Sequence, residues 1–186
     1  MIENIIQKDK EFLIYLNNLG SENWDGFWLA ITNQFHWTPL FVFLLYLIFR
    51  YLGLKKGLFT VLFLALLVTF SDQITNVIRG VFERLRPNND PAIRDSLRTL
   101  IRPQSFSFAS GHATTSTVVT VFLIMLLRKH TKYIKFLIMF PLIFAYSRLY
   151  LGVHFPIDIL GGFINGVTIG YLSFKLHKFL INKIFN

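Results

Sequence analysis

The sequence predicts an all-α fold, a polytopic bundle of transmembrane helices, and three observations support this prediction. Hydrophobic residues make up 53% of the 186 positions and charged residues only 16%, which is below the quarter that is usual in soluble domains. Five apolar segments are long enough to span a bilayer once their flanks are added. Lysine and arginine cluster in particular loops, as expected of membrane proteins with a fixed orientation.

The predicted spans set the domain organisation. They cover about 37–53, 57–78, 113–127, 133–151 and 157–174. Upstream, Ile5, Ile6 and Leu13 recur at helical spacing among charged residues, which predicts an amphipathic helix lying in the membrane surface. The stretch Trp24–Phe35 is too short to span alone, so it either lies in the interface or forms part of a sixth span. We expect one membrane domain over 1–186, with interfacial helices in 1–36 and the catalytic bundle in 37–186.

The basic residues predict the orientation. The loops between the first and second spans and between the third and fourth, together with the C-terminal end, hold ten basic residues, of which eight are lysine. These regions are cytoplasmic by the positive-inside rule. On the other side, from Arg79 to Arg102 and at Arg148, all seven basic residues are arginine. Arginine suits phosphate, so this side is predicted to bind an anionic ligand. This distribution also argues against nucleic acid as the partner of the +9 net charge.

A first polar group lies at the end of the second predicted span. Arg79 and Arg86 are seven residues apart, so on a helix both would project from one face. Pro87 is expected to end that helix. Charges inside a membrane mark either a functional site or a structural ion pair, and both alternatives stay open for this group alone. The other residues expected on the same face are Asp72, Thr75 and Glu83.

A second group, Ser110, Gly111 and His112, directly precedes an apolar helix. Ser110 is predicted to be the N-cap, and Gly111 allows a ligand to approach the backbone closely. Free N–H groups and the helix dipole favour an anion here, and His112 can donate a proton to a leaving oxygen. The structural alternative is a capped helix start with an interfacial histidine.

A third group contains Ser147, Arg148, His154 and Asp158. Pro156 suits the first turn of the last span, so His154 precedes that helix and Asp158 lies within its first turn. An aspartate there can hold the proton on one imidazole nitrogen and leave the other nitrogen free to attack phosphorus. The alternative is a structural pair holding a helix end. All three groups occur at outward ends of spans, so a bundle can bring them together.

The combined pattern resembles the three signature motifs of the type 2 phosphatidic acid phosphatase superfamily. Members of that superfamily include lipid phosphate phosphatases, undecaprenyl diphosphatases, phosphatidylglycerophosphate phosphatases, lipid A phosphatases and the soluble vanadium haloperoxidases. Two positions depart from the usual pattern, since Arg79 replaces a lysine and Ala109 replaces a proline. The matching residues are Arg79…Arg86-Pro87, Ser110-Gly111-His112 and Ser147-Arg148…His154…Asp158.

The resemblance implies a lipid phosphatase that works through a phosphohistidine. His154 would attack phosphorus, Asp158 would orient it, and His112 would protonate the leaving group and then activate water. No carboxylate or histidine cluster has metal-ligand spacing, and cysteine is absent, so no metal and no other cofactor is expected. The residues implied to bind the substrate phosphate are Arg79, Arg86, Ser110, Gly111 and Arg148.

The small size of the chain resembles that of bacterial undecaprenyl diphosphatases, so undecaprenyl diphosphate is the expected substrate. Phosphatidylglycerophosphate, phosphatidate and lipid A phosphate are the alternatives. A non-catalytic transporter or binder of anionic lipids would explain the arginines but not the oriented pair of His154 and Asp158. The expected location is the bacterial cytoplasmic (inner) membrane, with the active site on the extracytoplasmic face. No obligate protein partner is expected.

Overall fold

The computed structural model describes residues 1–185, and the secondary structure assigned there is entirely helical. Two helices, α1 and α2, precede a long helix α3, and three further helices follow a loop of 28 residues. Short 3₁₀ turns occupy Gln34–Trp37, Pro87–Asn89, Arg94–Ser96 and Lys132–Ile138. The helices are α1 Ile2–Asn18, α2 Glu22–Thr32, α3 Thr38–Phe82, α4 Gly111–Leu127, α5 Met139–Tyr150 and α6 Pro156–Phe185.

Helix α3 joins the first two predicted spans in one element. Its backbone leaves the helical region only at Gly53, where φ is +71° and ψ is 179°. A side chain is strained at such a φ, so glycine is the residue that allows the break. Phe49 packs directly on Gly57, which folds the arms 38–52 and 54–82 back on each other. The expected loop over Lys55 and Lys56 is therefore wrong, because both residues are helical.

A few long apolar helical stretches could span a membrane. By length and composition, Gln34–Asn89, Lys132–Tyr150 and Pro156–Phe185 could each cross a membrane, and Gly111–Leu127 is apolar but shorter. Because the first of these contains the break at Gly53, it holds both predicted N-terminal spans. The total of five or six spans stays a prediction.

Helices α4 and α6 form the centre of the bundle. Gly162, Gly166 and Gly170 repeat every fourth residue on α6, so they share one face. A Cβ added at Gly166 would lie 2.5 Å from the Thr117 Cβ atom and 2.8 Å from the Thr114 carbonyl oxygen. Small residues at this spacing let two membrane helices approach closely. This packing brings the N-terminal ends of α4 and α6 together at one end of the bundle, called here the site end.

Helix α1 packs across the site end through a narrow stripe. Asp9, Leu13 and Asn17 are its buried residues, and they lie four positions apart. The Asn17 side chain donates to the carbonyl oxygens of Arg98 and Tyr150 and accepts the N–H of Arg98. The rest of α1 is largely exposed and includes several apolar side chains. That exposed face is compatible with the predicted interfacial position, which stays a prediction.

Candidate active site

A cavity of about 1040 Å³ opens between the arms of α3, helix α4 and helix α5. At the site end its walls are polar and carry most of the residues that the sequence singled out. Further along, its walls are mainly apolar, with Phe41, Leu64, Val68 and Val119 facing the space. The motif residues that line it are Arg79, Arg86, Gly111, His112, Arg148 and His154.

Arg86 does not lie on α3, so the prediction that it shares a helical face with Arg79 is wrong. The helix ends at Phe82, because Glu83 takes a left-handed conformation with φ +44°. Arg86 follows in extended backbone, with φ −71° and ψ 153°. Pro87 therefore begins the next 3₁₀ turn instead of ending α3.

The predicted polar face of α3 is confirmed at Asp72 and Arg79, which both line the cavity, and is wrong at Glu83, which lies beyond the end of the helix. Asp72 and Glu83 are exposed, whereas Thr75 is fully buried and donates to the Ser71 carbonyl oxygen. Asp72 lines the cavity and accepts a hydrogen bond from Asn76. The left-handed turn at Glu83 removes that residue from the helical register. Asp72 is thus the one member of the predicted trio that faces the cavity.

Arg86 is held by four hydrogen bonds and contacts the predicted nucleophile. Its Nε and Nη2 atoms donate to the backbone and hydroxyl oxygens of Ser105, and Nη1 donates to the Val153 carbonyl oxygen. Nη1 also lies 3.0 Å from Nε2 of His154. A guanidinium has only donors, so Nε2 must be the acceptor and the imidazole proton must be on Nδ1. This is the tautomer in which Nε2 can act as a nucleophile.

Asp158 faces the other side of the same imidazole. Its Oδ2 atom lies 3.5 Å from Nδ1 of His154 and accepts the N–H of Phe155 at 2.9 Å. The 3.5 Å separation is longer than an ordinary hydrogen bond, and catalytic contacts of this kind often tighten when the substrate binds. The carboxylate therefore favours a proton on Nδ1.

His154 lies in the loop between α5 and α6 and is fully buried. Burial lowers the pKa of His154 well below the usual 6.5, and the positive charges of Arg86, Arg148 and Arg79 lower it further. A histidine with a lowered pKa stays neutral at physiological pH. The environment therefore keeps the His154 imidazole neutral.

The start of α4 has the N-cap that the sequence predicted. Ser110 is the N-cap, and its hydroxyl oxygen accepts the N–H of Ala113. An added Cβ at Gly111 would lie 2.9 Å from Nη2 of Arg79, so the glycine leaves room for this guanidinium to lie close to the helix start. Ser110 is fully buried and is not among the described residues that line the cavity. Its assignment to phosphate binding stays a prediction.

His112 and Arg148 complete the polar wall. The His112 ring lies against Phe144 on α5, with 4.7 Å between the ring centroids. Arg148 is buried, and its Nη1 atom donates to the hydroxyl of Thr32, the last residue of α2. Its Nε atom is buried without a hydrogen-bond partner among the described residues. An unpaired donor at a cavity wall is suited to an incoming anion.

Several site residues fall outside the sequence motifs. Ser105 anchors Arg86, Thr32 anchors Arg148, and Arg84 joins Asp158 to Asp9. Thr32 and Ser105 gave no signal in the sequence, because isolated hydroxyl residues are common in loops and helix ends. Asp9 did have a signal in the sequence, because it is a charged residue on the same helical face as Leu13 and Asn17.

The described part of the chain has no cluster of side chains suited to bind a metal ion. Within residues 1–185, His, Asp and Glu side chains do not gather in groups of three that could hold a metal ion. The positive charges available to a phosphate in the cavity are those of Arg79, Arg86 and Arg148. Metal independence stays a prediction about the reaction.

Known proteins resemble this chain over most of its length. A lipid A 4′-phosphatase of Bacteroides thetaiotaomicron is 35% identical over 183 residues, which are 96% of this chain and 81% of the relative. An undecaprenyl-diphosphatase of Sulfolobus acidocaldarius is 31% identical over 103 residues, 55% of this chain and 48% of the relative. The crystal structure of a transmembrane PAP2-type phosphatidylglycerolphosphate phosphatase from Bacillus subtilis matches with a TM-score of 0.73 at 25% identity, covering 97% and 88% of the two chains.

The family model agrees with the geometry of the site. The PAP2 superfamily model matches residues 57–181, a range that contains all the predicted motif residues and most of the cavity wall. The predicted resemblance to the type 2 phosphatidic acid phosphatase (PAP2) superfamily is therefore confirmed. The chain belongs to the PAP2 superfamily and is a membrane lipid phosphatase of that family.

Proposed function

We propose that this phosphatase cleaves its lipid phosphate through a covalent phosphohistidine on His154. Nε2 of His154 attacks phosphorus and forms a P–N bond while the P–O bond to the lipid breaks. The negative charge of the bound phosphate would favour a protonated His112, which gives one proton to the leaving oxygen and becomes neutral. Water then attacks phosphorus and loses a proton to His112, the P–N bond breaks, and inorganic phosphate leaves. The single observation that carries this proposal is the buried His154, with Arg86 on Nε2 and Asp158 facing Nδ1.

Three arginines would stabilise the charge of the transferring phosphoryl group. Arg79, Arg86 and Arg148 line the same end of the cavity as His112 and His154. Fixed donors of this kind need little reorganisation as charge develops. The rest of the cavity is mainly apolar, which suits the hydrocarbon chain of a lipid. The polar end is proposed to face the outer side of the membrane.

For the substrate, we favour the 4′-phosphate of a lipid A molecule. The likeness to the lipid A 4′-phosphatase extends over 96% of this chain and so includes α1 and α2, which lie outside the family model. Thr32 of α2 contacts Arg148, so these helices belong to the site. The expectation of undecaprenyl diphosphate becomes the second candidate, supported by the undecaprenyl-diphosphatase over 55% of the chain.

The test is phosphate release by purified protein in detergent. Lipid A, undecaprenyl diphosphate, phosphatidylglycerophosphate and phosphatidate are compared by kcat/KM, with and without a chelator. We expect lipid A to rank first and the chelator to have no effect. A higher kcat/KM for undecaprenyl diphosphate would replace the favoured substrate by the second candidate.

The nucleophile is tested by replacing His154 with alanine. We expect His154→Ala to abolish turnover, and we expect acid-labile phosphate bound to histidine to be trapped only in proteins that retain His154. The matched control is His130→Ala, since His130 stacks on Tyr51 away from the cavity. Substantial turnover by His154→Ala would rule out this nucleophile. Specific lipid binding without turnover or trapped phosphate in the wild type would instead indicate a non-catalytic binder.

A further inference from the structure

An ion-pair network connects the N-terminal helix to the predicted catalytic pair. Arg84 donates from Nη1 to Oδ1 of Asp158 at 2.7 Å and from Nη2 to Oδ2 of Asp9 at 2.6 Å. The guanidinium also lies over the Phe155 ring, 4.0 Å from its centroid. Arg84 follows the end of α3, Asp9 lies on α1 and Asp158 on α6. Three separate parts of the chain thus meet behind His154.

Every carboxylate oxygen in this network has a partner. Oδ1 of Asp9 accepts the N–H of Ile157 in the first turn of α6, while Oδ2 accepts from Arg84. Oδ1 of Asp158 accepts from Arg84, which leaves Oδ2 to the Phe155 N–H and to His154. The contact with Arg84 therefore fixes the rotation of the Asp158 carboxylate. Asp9 in turn fixes the guanidinium and the first turn of α6.

We propose that Asp9 and Arg84 are positioning residues, which hold the Asp158 carboxylate toward Nδ1 of His154 and make helix α1 part of the catalytic assembly. The proposal rests on the proposed role of His154 as the nucleophile. Neither residue touches the reacting nitrogen, so both act through Asp158.

Burial supports a functional reason for the network. Asp9 is only 5% exposed, and a buried ion pair generally stabilises a fold no better than well-packed apolar side chains would. Burial raises the pKa of the Asp9 carboxyl, and the contacts with Arg84 and Ile157 oppose that rise. A buried aspartate at position 9 is explained by the two groups that it fixes, the Arg84 guanidinium and the Ile157 N–H.

The test uses Asp9→Asn and Arg84→Gln in the full-length protein. Misplacing a catalytic group by about 1 Å can lower a rate about 10²-fold, and we expect losses of this order in kcat with KM little changed. Asp90→Asn and Lys10→Gln are the controls, because they break a neighbouring ion pair between α1 and the loop after α3. Both controls should keep the wild-type kcat. Thermal stability in detergent reports whether each variant is folded.

The pH profile separates positioning from simple structural support. Besides Asp158 and Arg84, the titratable and charged groups around His154 are Arg79, Arg86, Arg148 and His112. All of these are retained in both variants except Arg84 itself. Removing the positive charge of Arg84 makes His154 easier to protonate, so the acid limb of kcat/KM moves to higher pH. Removing the negative charge of Asp9 has the opposite effect, so the limb moves to lower pH.

A double variant adds a further check. If Asp9 acts through Arg84, then Asp9→Asn should lower kcat much less in the Arg84→Gln background than in the wild type. Wild-type kcat in folded Asp9→Asn and Arg84→Gln, alongside an inactive His154→Ala, would overturn this inference alone. Equal losses in Lys10→Gln would also overturn it, because α1 would then matter only as support. An active His154→Ala would overturn the proposed nucleophile, and the network's catalytic role with it.

Discussion

The three cavity arginines differ in how much of their hydrogen-bonding capacity the protein itself uses. Arg86 is fixed by Ser105, Val153 and His154 through all three of its nitrogens. Arg148 is held at Nη1 by Thr32, while its Nε atom is buried and has no hydrogen-bond partner within residues 1–185. Arg86 is therefore a rigid part of the site. Arg148 has the donor capacity that a phosphoryl group can take up.

We expect Arg148→Lys to lower kcat/KM by about 10²-fold or more, the usual cost of losing one donor to a transition-state oxyanion. Lysine carries the charge but cannot reach Thr32 and a phosphoryl oxygen with a planar fork. The measurement is kcat/KM for the best lipid substrate. Arg128→Lys is the matched control, since Arg128 is exposed at the end of α4 away from the site. Near-wild-type activity of Arg148→Lys would exclude a role in which Arg148 binds Thr32 and a phosphoryl oxygen at the same time.

At this scale the sequence predicted which side chains line the cavity better than it predicted the residues that support them. His112, His154 and Arg148 were found because rare polar residues beside apolar spans stand out. Thr32 could not be found in this way, because its role depends on α2 folding back against α5, a contact between residues 116 positions apart. Long-range partners of this kind leave no local pattern in a single sequence.

At the scale of elements, the contact of α4 with α6 determines the shape of the site. The glycines of α6 let Ser110 and Asp158 approach closely enough for the Ser110 N–H to donate to the Asp158 carbonyl oxygen at 3.1 Å. The N-cap of one helix is thereby bonded to the first turn of the other. A change in the spacing of these helices would move Gly111 relative to His154.

We expect Gly166→Ala to lower the thermal stability of the protein in detergent. The new Cβ would lie 2.5 Å from the Thr117 Cβ and 2.8 Å from a backbone oxygen, and overpacking of this kind costs about 1–3 kcal/mol. The matched control is Gly26→Ala in the middle of α2, where an added Cβ meets nothing within 4 Å. That variant should be as stable as the wild type or slightly more so. Equal melting temperatures for both variants would contradict tight packing of α4 against α6.

The helix ends illustrate what a sequence pattern leaves open. Pro87 looked like the end of α3, but the chain leaves the helix four residues earlier, at Glu83. A left-handed glutamate has no strong sequence signature, because glycine or asparagine is usual in that conformation. By contrast, Ser110 and Pro156 mark the starts of α4 and α6 as expected. The starts of α4 and α6 were predictable from their first residues, whereas the end of α3 lies at an exposed glutamate whose N–H bonds locally to the Arg79 carbonyl oxygen.

At the scale of the whole molecule, the distribution of charge predicts the orientation. The chain has no cysteine, so a single introduced thiol can report which side of the membrane it faces. We expect Asp95→Cys to react with a membrane-impermeant thiol reagent in intact cells, because Asp95 is 88% exposed near the site end. Lys129→Cys should react only after the membrane is permeabilised. The reverse labelling pattern would place the active site on the cytoplasmic side.

The hydrogen bond from Arg86 to His154 has a consequence for which molecules can react. In the structure, the lone pair of His154 Nε2 accepts a guanidinium proton of Arg86. An uncharged electrophile offers Arg86 no better acceptor than Nε2. The hydrogen bond therefore stays in place, and Nε2 is a weaker nucleophile toward that electrophile. A phosphate oxyanion is a stronger acceptor for Nη1 of Arg86 than Nε2 is, so it would take over this one hydrogen bond and expose the lone pair, while the bonds to Ser105 and Val153 hold the guanidinium in place. With His154 as the proposed nucleophile, this hydrogen bond would shield Nε2 from adventitious alkylation, and the ligand that exposes Nε2 would be the anion that is to be cleaved.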